Sequence, residues 1–331
     1  MNDAVTLAHG NGGRLTRALV RDIFAAHLPG LDSVNDAARL PPSGRPLAIT
    51  TDSFSVAPLE FPGGDIGTLA VCGTVNDLAV AGARPRYLTL AAIIEEGLDL
   101  DLLARVAASV GQTAAQCGVA VVTGDTKVVA RGEGGGLYLN TTGVGEVQVA
   151  RELGCHHIAP GDRLLISGPV GDHATAVLLA REDFGLHGEV ESDCASILPL
   201  AEALWDLPGL RLLRDPTRGG LATVCHEIIE QTGFRVALEE AAIPVRAAVR
   251  SACELLGFDP LYLACEGRLL VACAPDAAAP ALQRLRRLPE GQAAAIIGTV
   301  DEGHAELTLA TPIGGERLLD ELEDDPLPRI C

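Results

Sequence analysis

Hydrophobic and polar positions in the first half of the chain alternate between strand-like and helix-like patterns. They predict a strand over residues 46–54 (PLAITTDSF), a Gly/Ala-rich helix over 64–82 and a strand over 86–95. A helix over 99–117 and two further strands, VAVVTG and LYLNTTGVG, follow. This order of elements predicts one complete α/β-type domain over residues 1–158.

The second half begins after a loop-like segment, residues 155–161, in which two His, a Pro and a Gly precede the strand-like run DRLLISG. Its pattern predicts a helix after Gly171, another helix from Cys194, the strand LRLLRD and a helix after Gly219. Further strand and helix pairs follow. We therefore expect a C-terminal α+β domain over residues 159–312.

The last residues, 313–331, predict an arm rather than a further domain. Acidic residues in GGERLLDELEDD are followed by P-L-P, and proline cannot continue a helix and favours extended backbone. We expect the final six residues to form an exposed, semi-rigid arm that ends in Cys331. Chain ends fray, so a terminal thiol is a poor choice for packing, and Cys331 is a candidate reactive group.

Length and composition agree with two domains. A chain of 331 residues exceeds the size at which single hydrophobic cores stop growing. Hydrophobic residues make up 48% of it and aromatic residues only 3%, with 37 Gly and 20 Pro. Such a composition is typical of Ala-, Val- and Leu-rich helices and strands joined by glycine turns. It predicts a globular, enzyme-like protein.

Charge and cysteine usage argue against several classes of protein. The formal net charge of −19 would repel a phosphodiester backbone, so we expect no nucleic-acid partner. The chain has no basic start followed by an apolar stretch and no long apolar run, so we expect a cytoplasmic protein without a membrane segment. Nine scattered cysteines without a C-x-x-C pair indicate neither a disulfide framework nor a zinc site.

Acidic residues stand at the ends of three predicted strands: Asp52, Asp125 and Asp215. Ligands of α/β sheets gather at the carboxyl ends of strands, so these positions fit a site for a metal ion and phosphate. Asn76 and Asp77 add a polar pair inside an otherwise apolar helix. Any single Asp is also a common turn or cap residue, and only the recurrence of the pattern favours the functional interpretation.

Two glycine-containing turns are candidates for holding an anion. In AHGNGG, Gly12 and Gly13 let backbone N–H groups converge ahead of a helix that starts near Arg14, although the motif follows no strand and fits a flexible N-terminus better. In DPTRGG, residues 215–220, Arg218 precedes two glycines and a helix. This segment fits an anion site at a helix N-terminus and a plain tight turn equally well.

Two further charged residues are candidates for chemistry. In GDTKVV, Asp125 and Lys127 are two apart, so they point to the same side of extended backbone and can serve a metal ion and a phosphate; a solvated surface pair is the alternative. In LACEGRLLVAC, Glu266 interrupts two apolar stretches beside Gly267. Burial there would raise its pKa and suit it to proton transfer, whereas a hairpin turn would leave it exposed.

The motifs AHGNGG, TTDSF, FPGGDIGTLAVCGTVNDLAVAGARPRYL, EEGL, VTGDTKVV, GDHATAV, DPTRGGLATV, CEGRL and the terminal PRIC occur in this order along the chain. On these motifs the chain resembles the HypE-type hydrogenase maturation proteins, which are carbamoyl dehydratases, over essentially its full length. The NDLAV helix, GDTK and DPTRGG are also similar to the wider superfamily of aminoimidazole ribonucleotide synthetase, selenophosphate synthetase and thiamine-monophosphate kinase. The terminal PRIC is specific to the maturation proteins.

The resemblance implies an α+β protein with two α/β-type domains of the aminoimidazole ribonucleotide synthetase-like fold and an extended C-terminal arm. It implies a homodimer whose N-terminal sheets pair across the interface, with ATP in a nearby cleft under the Gly-rich N-terminus. Asp52, Asp77 and Asp125 would hold Mg²⁺. The residues expected to contact the nucleotide are Gly12, Gly13, Asp52, Asn76, Asp77, Asp125, Thr126, Lys127, Asp215 and Arg218.

The resemblance also implies a reaction. A partner carbamoyltransferase would load Cys331 as an S-carboxamide, and ATP would drive its dehydration to a thiocyanate, with Lys127 on the phosphates and Glu266 as a candidate base. The cyanide would pass to iron on a maturation scaffold complex that serves a NiFe-hydrogenase. Two alternatives stay open: a superfamily synthetase or kinase with a diffusible substrate, and a non-catalytic carrier that only presents a modified thiol.

Overall fold

The computed structural model describes residues 4–11, 13–32, 37–181, 189–323, 327 and 330–331. Nine α-helices lie within these ranges: α1 Arg14–Leu19, α2 Ala25–His27, α3 Ile66–Val80, α4 Leu100–Cys117, α5 Asp172–Ala180, α6 Leu198–Glu202, α7 Gly220–Thr232, α8 Ala247–Leu256 and α9 Pro275–Leu285. Six strands of the described chain belong to the N-terminal half: β1 Leu47–Phe54, β2 Glu60–Phe61, β3 Gly64–Asp65, β4 Ala83–Glu95, β5 Ala120–Val129 and β6 Leu137–Val147. Seven belong to the C-terminal half: β7 Arg163–Ile166, β8 Leu210–Arg214, β9 Arg235–Glu239, β10 Leu270–Cys273, β11 Ala295–Asp301, β12 Leu307–Ala310 and β13 Glu316–Leu318.

The N-terminal half is built on a four-stranded sheet in the order β1-β6-β4-β5, in which only β4 and β5 are parallel neighbours. Strand residues alternate between a face covered by α3 and an open face. On the open face, Ile49 is 73% exposed, and Leu47 and Ile93 are exposed as well. The sheet therefore presents apolar side chains that nothing in the described chain covers.

Helix α3 is apolar on all sides, and its surroundings explain this pattern. It packs against β1, β6 and α4 on one side and against α6 and β8 of the C-terminal half on the other. Asp65 caps its first turn by accepting from the Thr68 N–H at 2.8 Å, and the Trp205 indole N–H donates to the Ala79 carbonyl at 3.1 Å. One hydrophobic cluster consequently continues from the first half into the second.

The C-terminal half folds around a seven-stranded sheet in the order β13-β12-β9-β11-β7-β10-β8, antiparallel except between β12 and β9. Its turn after β8 leads directly into α7, as the DPTRGG motif predicts. None of the nine cysteines forms a disulfide, and seven of them are buried as small core residues. Over the described ranges, no helix combines the length and apolar character needed to cross a bilayer.

Two expectations from the sequence were wrong. The helix predicted from Cys194 begins only at Leu198, because the backbone of the preceding residues is hydrogen-bonded to the Asn76 amide of α3 instead of to its own helix. Of the final six residues, which were predicted to be exposed, the structure describes Leu327, Ile330 and Cys331, and Leu327 and Ile330 are buried and join the hydrophobic cluster. Apolar side chains on the arm thus outweigh the tendency of a proline-rich chain end to extend into solvent.

Candidate active site

A cleft of about 340 Å³ opens between the two halves, beside the point where the chain ends. Its walls are formed by β1, α3, the turn between β8 and α7, and the segment before β10. The lining residues are Asp52, Phe54, Gly73, Asp77, Arg214, Asp215, Thr217, Arg218, Thr223, Val224, Glu227, Glu266 and Cys331. Six of the residues singled out by their sequence pattern therefore meet in one cavity, although they span the chain from its first sheet to its last residue.

Asp52, Asp77 and Asp215 contribute three carboxyl groups to the lining of this cleft. The Thr74 hydroxyl donates to Asp52 at 3.2 Å and the Thr50 hydroxyl donates to Asp77 at 2.7 Å, which orients both side chains. Burial and the charge of Asp77 raise the pKa of Asp52 to about 6, and the same two causes raise the pKa of Asp215 to about 7. A concentration of buried negative charge of this kind is suited to a cation.

The raised pKa of Asp215 predicts that Asp215→Asn stabilises the metal-free, nucleotide-free protein, and more so at pH 8 than at pH 5. Between its ordinary pKa of 3.8 and the folded-state value of about 7, the folded protein keeps a proton that the unfolded chain releases. Stability is therefore lost as the pH rises through this range. Asparagine does not titrate, so the difference in Tm between the variant and the wild type should be larger at pH 8 than at pH 5. Thermal melts at both pH values measure it, and the same difference at both would contradict the prediction.

The turn DPTRGG, which contributes Asp215, also brings the positive charge of Arg218 to the cleft. Its hydrogen bond to Cys331 and the negative charge of that residue raise the pKa of the Arg218 guanidinium. Gly220 has φ of +61°, and a Cβ there would meet the carbonyl oxygen of Leu263 at 2.6 Å, so the turn requires glycine at this position. The N-terminus of α7 follows immediately and adds its own partial positive charge.

Glu266 is buried at the base of the cleft, with 3% of its surface exposed. Burial, followed by the charges of Asp215 and Asp193, raises its pKa well above the ordinary range. Its backbone N–H donates to Asp193 at 3.2 Å, whereas its side-chain Oε1 has no hydrogen-bond partner among the described residues. A Cβ on Gly267 would meet the Asp193 carbonyl oxygen at 1.8 Å, so this tight approach requires the glycine that follows Glu266.

The C-terminal residues enter the cleft from the side of β1. The Cys331 carboxylate accepts from the backbone N–H of Ser55 at 3.3 Å, and the Ile330 carbonyl lies 2.9 Å from His173 Nε2. Cys331 itself is only partly exposed. The thiol thus lies in the same cavity as the acids, Arg218 and Glu266, and the chain can act on a group attached to its own end.

Asn76, predicted to contact the nucleotide, forms hydrogen bonds to backbone groups through its side-chain amide. Its side-chain amide donates to the carbonyls of Ala195 and Glu266 at 3.1 and 3.3 Å and accepts from the Ile197 N–H at 2.8 Å. The residue is buried, and every one of these partners is backbone. These bonds tie the Asn76 amide to the backbone of Glu266, and its contact with the nucleotide stays a prediction.

The remaining predicted residues lie at the opposite edge of the sheet. Asp52 is in register with Thr141, Leu90 and Gly124 across four strands, so β5 is three strand spacings away, roughly 14 Å. Asp125 and Lys127 alternate with the buried Val128 and are exposed on the open face, pointing to the same side as predicted.

Thr126 and Asp125 line a separate cavity of about 420 Å³ between α1 and β5. Gly13 precedes α1, and Gly10 lies so close to β5 that a Cβ on it would meet Val128 Cβ at 2.8 Å. Gly12 lies outside the described residues. Within one chain the Gly-rich N-terminus is therefore a neighbour of the GDTK strand and not a cover for the cleft.

The donor set of the cleft fits Mg²⁺ that arrives with a nucleotide. Over the part of the chain that the structure describes, no three His, Cys, Asp or Glu side chains cluster tightly enough to hold a metal ion alone. Mg²⁺ typically takes only one or two protein carboxylates and completes its shell with water and phosphate oxygens. Asp52 and Asp77, with Asp215 beside them, fit that arrangement.

Several residues of the site carry no strong sequence signal. Asp193 accepts from the Glu266 N–H, and Arg268 forms ion pairs of 3.2 Å with both Asp193 and Asp172; the side chains of all three are at most 9% exposed. His173 and Ser55 contact the chain end. Asp172 and His173 belong to the motif GDHATAV, and this polar pair beside apolar residues is the sequence feature that could have indicated their place in the site.

Comparisons with known proteins agree with this architecture. The family model described as AIR synthase related protein, N-terminal domain, matches residues 34–147, and the corresponding C-terminal domain model matches residues 159–309. The fold and the cleft thus define an AIR synthase related protein with both domains. Carbamoyl dehydratase HypE of Rhodobacter capsulatus is 46% identical over 337 residues, covering 100% of this chain and 99% of that protein. The chain belongs to the carbamoyl dehydratase HypE family.

Solved structures of that family superpose closely on the chain. The crystal structure of hydrogenase maturation protein HypE in complex with ATP matches with a TM-score of 0.93 at 47% identity and covers 98% of this chain and 99% of that one. The crystal structure of a HypE–HypF complex matches with a TM-score of 0.81 at 40% identity, covering 92% and 100%. The resemblance drawn from the motifs and the α+β fold that it implies are confirmed.

Proposed function

We propose that the chain is an ATP-dependent carbamoyl dehydratase that converts an S-carboxamide on its own Cys331 to a thiocyanate. The observation that carries this proposal is the position of Cys331 inside a cleft lined by three acids, Arg218 and the buried Glu266. Its relatives are named carbamoyl dehydratases, and one solved relative is in complex with ATP. The test is an intact-mass measurement: the carbamoylated protein should lose one water only with hydrolysable ATP.

The chemistry follows from the weak leaving ability of an amide oxygen. Transfer of the γ-phosphoryl group to this oxygen makes phosphate the leaving group; the C–O bond breaks, two N–H protons leave, and an S–C≡N group remains with ADP and phosphate. Glu266 takes an N–H proton, while Arg218 and Lys127 stabilise the phosphate charge. Bound Mg²⁺ would be held by Asp52 and Asp77 and would neutralise charge on the phosphates.

We further propose that the complete nucleotide site is shared between two copies of the chain in a homodimer. Asp52 and Lys127 lie on opposite edge strands and opposite faces of one sheet, so a single chain does not bring them together. The open face of this sheet exposes Leu47, Ile49 and Ile93, which pairing with a second sheet would cover. ATP would then contact the acids of one subunit and the GDTK strand and Gly-rich N-terminus of the other.

A shared site predicts complementation between two inactive variants. Asp52→Asn and Lys127→Ala should each abolish dehydration as homodimers, because each removes one half of both sites. After co-expression, a mixed dimer holds one doubly substituted site and one intact site, so activity should return to about a quarter of the wild-type value. A mixture as inactive as its parents would place both residues in the same subunit's site.

The partners follow from the same chemistry. A carbamoyltransferase must load Cys331, and a structure of a HypE–HypF complex is among the solved relatives. The carbon of a thiocyanate is electrophilic, and the receiving group would be an electron-rich iron on a maturation scaffold for a NiFe-hydrogenase. The iron would supply the electron pair of the new Fe–C bond, and the S–C bond would break with the Cys331 thiolate as the leaving group. We place the protein in the cytoplasm, because its reaction needs a free thiol and a reducing compartment maintains all nine cysteines as thiols.

A further inference from the structure

His173 is buried completely and forms two hydrogen bonds that together define its protonation. Its Nε2 lies 2.9 Å from the carbonyl oxygen of Ile330, and its Nδ1 lies 2.8 Å from the Ser192 hydroxyl. A carbonyl oxygen only accepts, so Nε2 must carry the proton and donate it, and neutral Nδ1 must accept from Ser192. Burial lowers the pKa of His173 and favours this neutral form.

The surroundings hold the imidazole in a single orientation. The Ser192 hydroxyl also accepts from the Cys194 N–H at 2.9 Å, so its own proton is directed to the imidazole. The Phe61 ring packs edge-on against the imidazole, with ring centroids 5.4 Å apart. Since rotation of the ring would break both hydrogen bonds inside a buried site, one N–H donor points permanently at the backbone of the arm.

We propose that His173 is the positioning residue that latches the C-terminal arm in the cleft. Its Nε2–H bond fixes the backbone one residue before Cys331, so the carbamoylated thiol is presented to Glu266 and the phosphate-binding residues. This role rests on the dehydratase function proposed above and deepens it, because it assigns how the tethered substrate is held. His173 is not among the residues that line the cleft, so its role is to position the arm and not to take part in the chemistry.

The latch is coupled to the catalytic carboxyl through one arginine. Arg268 forms ion pairs with Asp172, next to His173, and with Asp193, next to Ser192, and its Nε donates to the Pro169 carbonyl at 2.7 Å. Asp193 in turn holds the Glu266 N–H. The residues that hold the substrate arm and the candidate base therefore belong to one buried network, which keeps the spacing between them constant.

His173→Phe tests the latch, because it keeps a ring against Phe61 and removes the N–H donor. We expect the ATP-dependent loss of water from carbamoylated protein to slow about tenfold, the effect of one buried hydrogen bond on an equilibrium, and labelling of Cys331 by a maleimide to accelerate by a similar factor. Loading of Cys331 by the transferase should not slow. His173→Gln keeps an N–H donor and should restore part of both rates.

His226→Phe is the matched control. His226 Nε2 bonds the Leu319 carbonyl at 3.0 Å, so the same substitution removes the same kind of bond at the root of the arm, away from Cys331. It should leave the dehydration rate and Cys331 labelling near the wild-type values. If His173→Phe is too unstable to measure, Ser192→Ala is the second variant. It keeps the imidazole but removes the hydroxyl that fixes the proton on Nε2, so Cys331 should be labelled at a rate between those of the wild type and His173→Phe.

The outcomes separate the latch from the function. Wild-type protein that never loses water contradicts the dehydratase function, whereas wild-type labelling and dehydration rates in His173→Phe contradict the latch alone. Thermal melts with and without residues 330–331 give a further readout: a latch predicts that His173→Phe lowers the Tm more in the full chain than in the truncated one. Equal losses would make His173 a structural core residue only.

Discussion

Replacing Cys331 with alanine should abolish the reaction entirely, because the sulfur atom is the site on which the substrate is built. The variant should gain no carbamoyl group from the transferase and form no ADP above background in the presence of carbamoyl phosphate and Mg-ATP. ATP binding should persist with little change, since the proposed nucleotide contacts come from other residues. Intact mass, ADP release and a nucleotide titration measure these three properties.

The matched control is Cys117→Ala, which removes the other partly exposed thiol of the chain. It should load and dehydrate at the wild-type rate. If Cys331→Ala instead keeps its ADP formation, the enzyme acts on a diffusible substrate, as a superfamily synthetase or kinase would. If wild-type protein is loaded but never dehydrates with ATP, a simple thiol carrier becomes the better account.

Glu266→Gln should slow dehydration by about 10²–10⁴-fold, the usual contribution of a positioned general base, while carbamoylated Cys331 accumulates. The substitution keeps the shape of the side chain and removes only its ability to accept a proton. Burial, together with the charges of Asp215 and Asp193, raises the pKa of Glu266 well above its ordinary range. A base must be deprotonated, so the wild-type rate should rise with pH and this limb should disappear in the variant.

Glu227 offers a control of the same residue type in the same cleft. It is paired with Arg214 at 2.6 Å near the surface, and its neutralisation removes a solvent-screened ion pair of small energetic value. Glu227→Gln should keep both the rate and the pH limb. If the Glu266→Gln protein retains more than a tenth of the wild-type rate, another carboxyl group is the general base, and Asp215 is the first candidate.

The N-terminal elements could be predicted well because local pattern and tertiary burial agree there. The strand over PLAITTDSF, the apolar helix with Asn76 and Asp77, and the GDTK strand all form close to the predicted positions. The pattern correctly singled out Asp52, Asp77 and Asp215, but not the reason why they meet. Asp52 lies inside β1, Asp77 lies inside α3 and Asp215 follows β8 of the other sheet, so packing of the two halves brings them together. Burial of Glu266 beside them came from its apolar flanks, and the structure excludes the exposed hairpin turn.

Other features depend on contacts that one-dimensional patterns do not contain. The Asn76 amide is hydrogen-bonded to backbone more than a hundred residues further along the chain, a contact that the sequence pattern does not show. The same contact keeps the chain after Cys194 extended where its pattern favours a helix. The separation of Asp125 from Asp52 follows from strand order, β1 and β5 being the two edges, which residue spacing cannot reveal.

Burial of the arm sets how often the chain end is available to other proteins. Ile330 is 3% exposed and Leu327 5%, and transferring two such side chains to water costs roughly 3–6 kcal/mol. On its own the molecule would therefore hold its terminus outside in about one copy per hundred or fewer. A transferase or an iron carrier must meet this rare state or offer an apolar surface that replaces the one the arm leaves. Partner proteins thus control when Cys331 is exposed. In their absence, a thiocyanate on Cys331 stays buried and is protected from nucleophiles in solution.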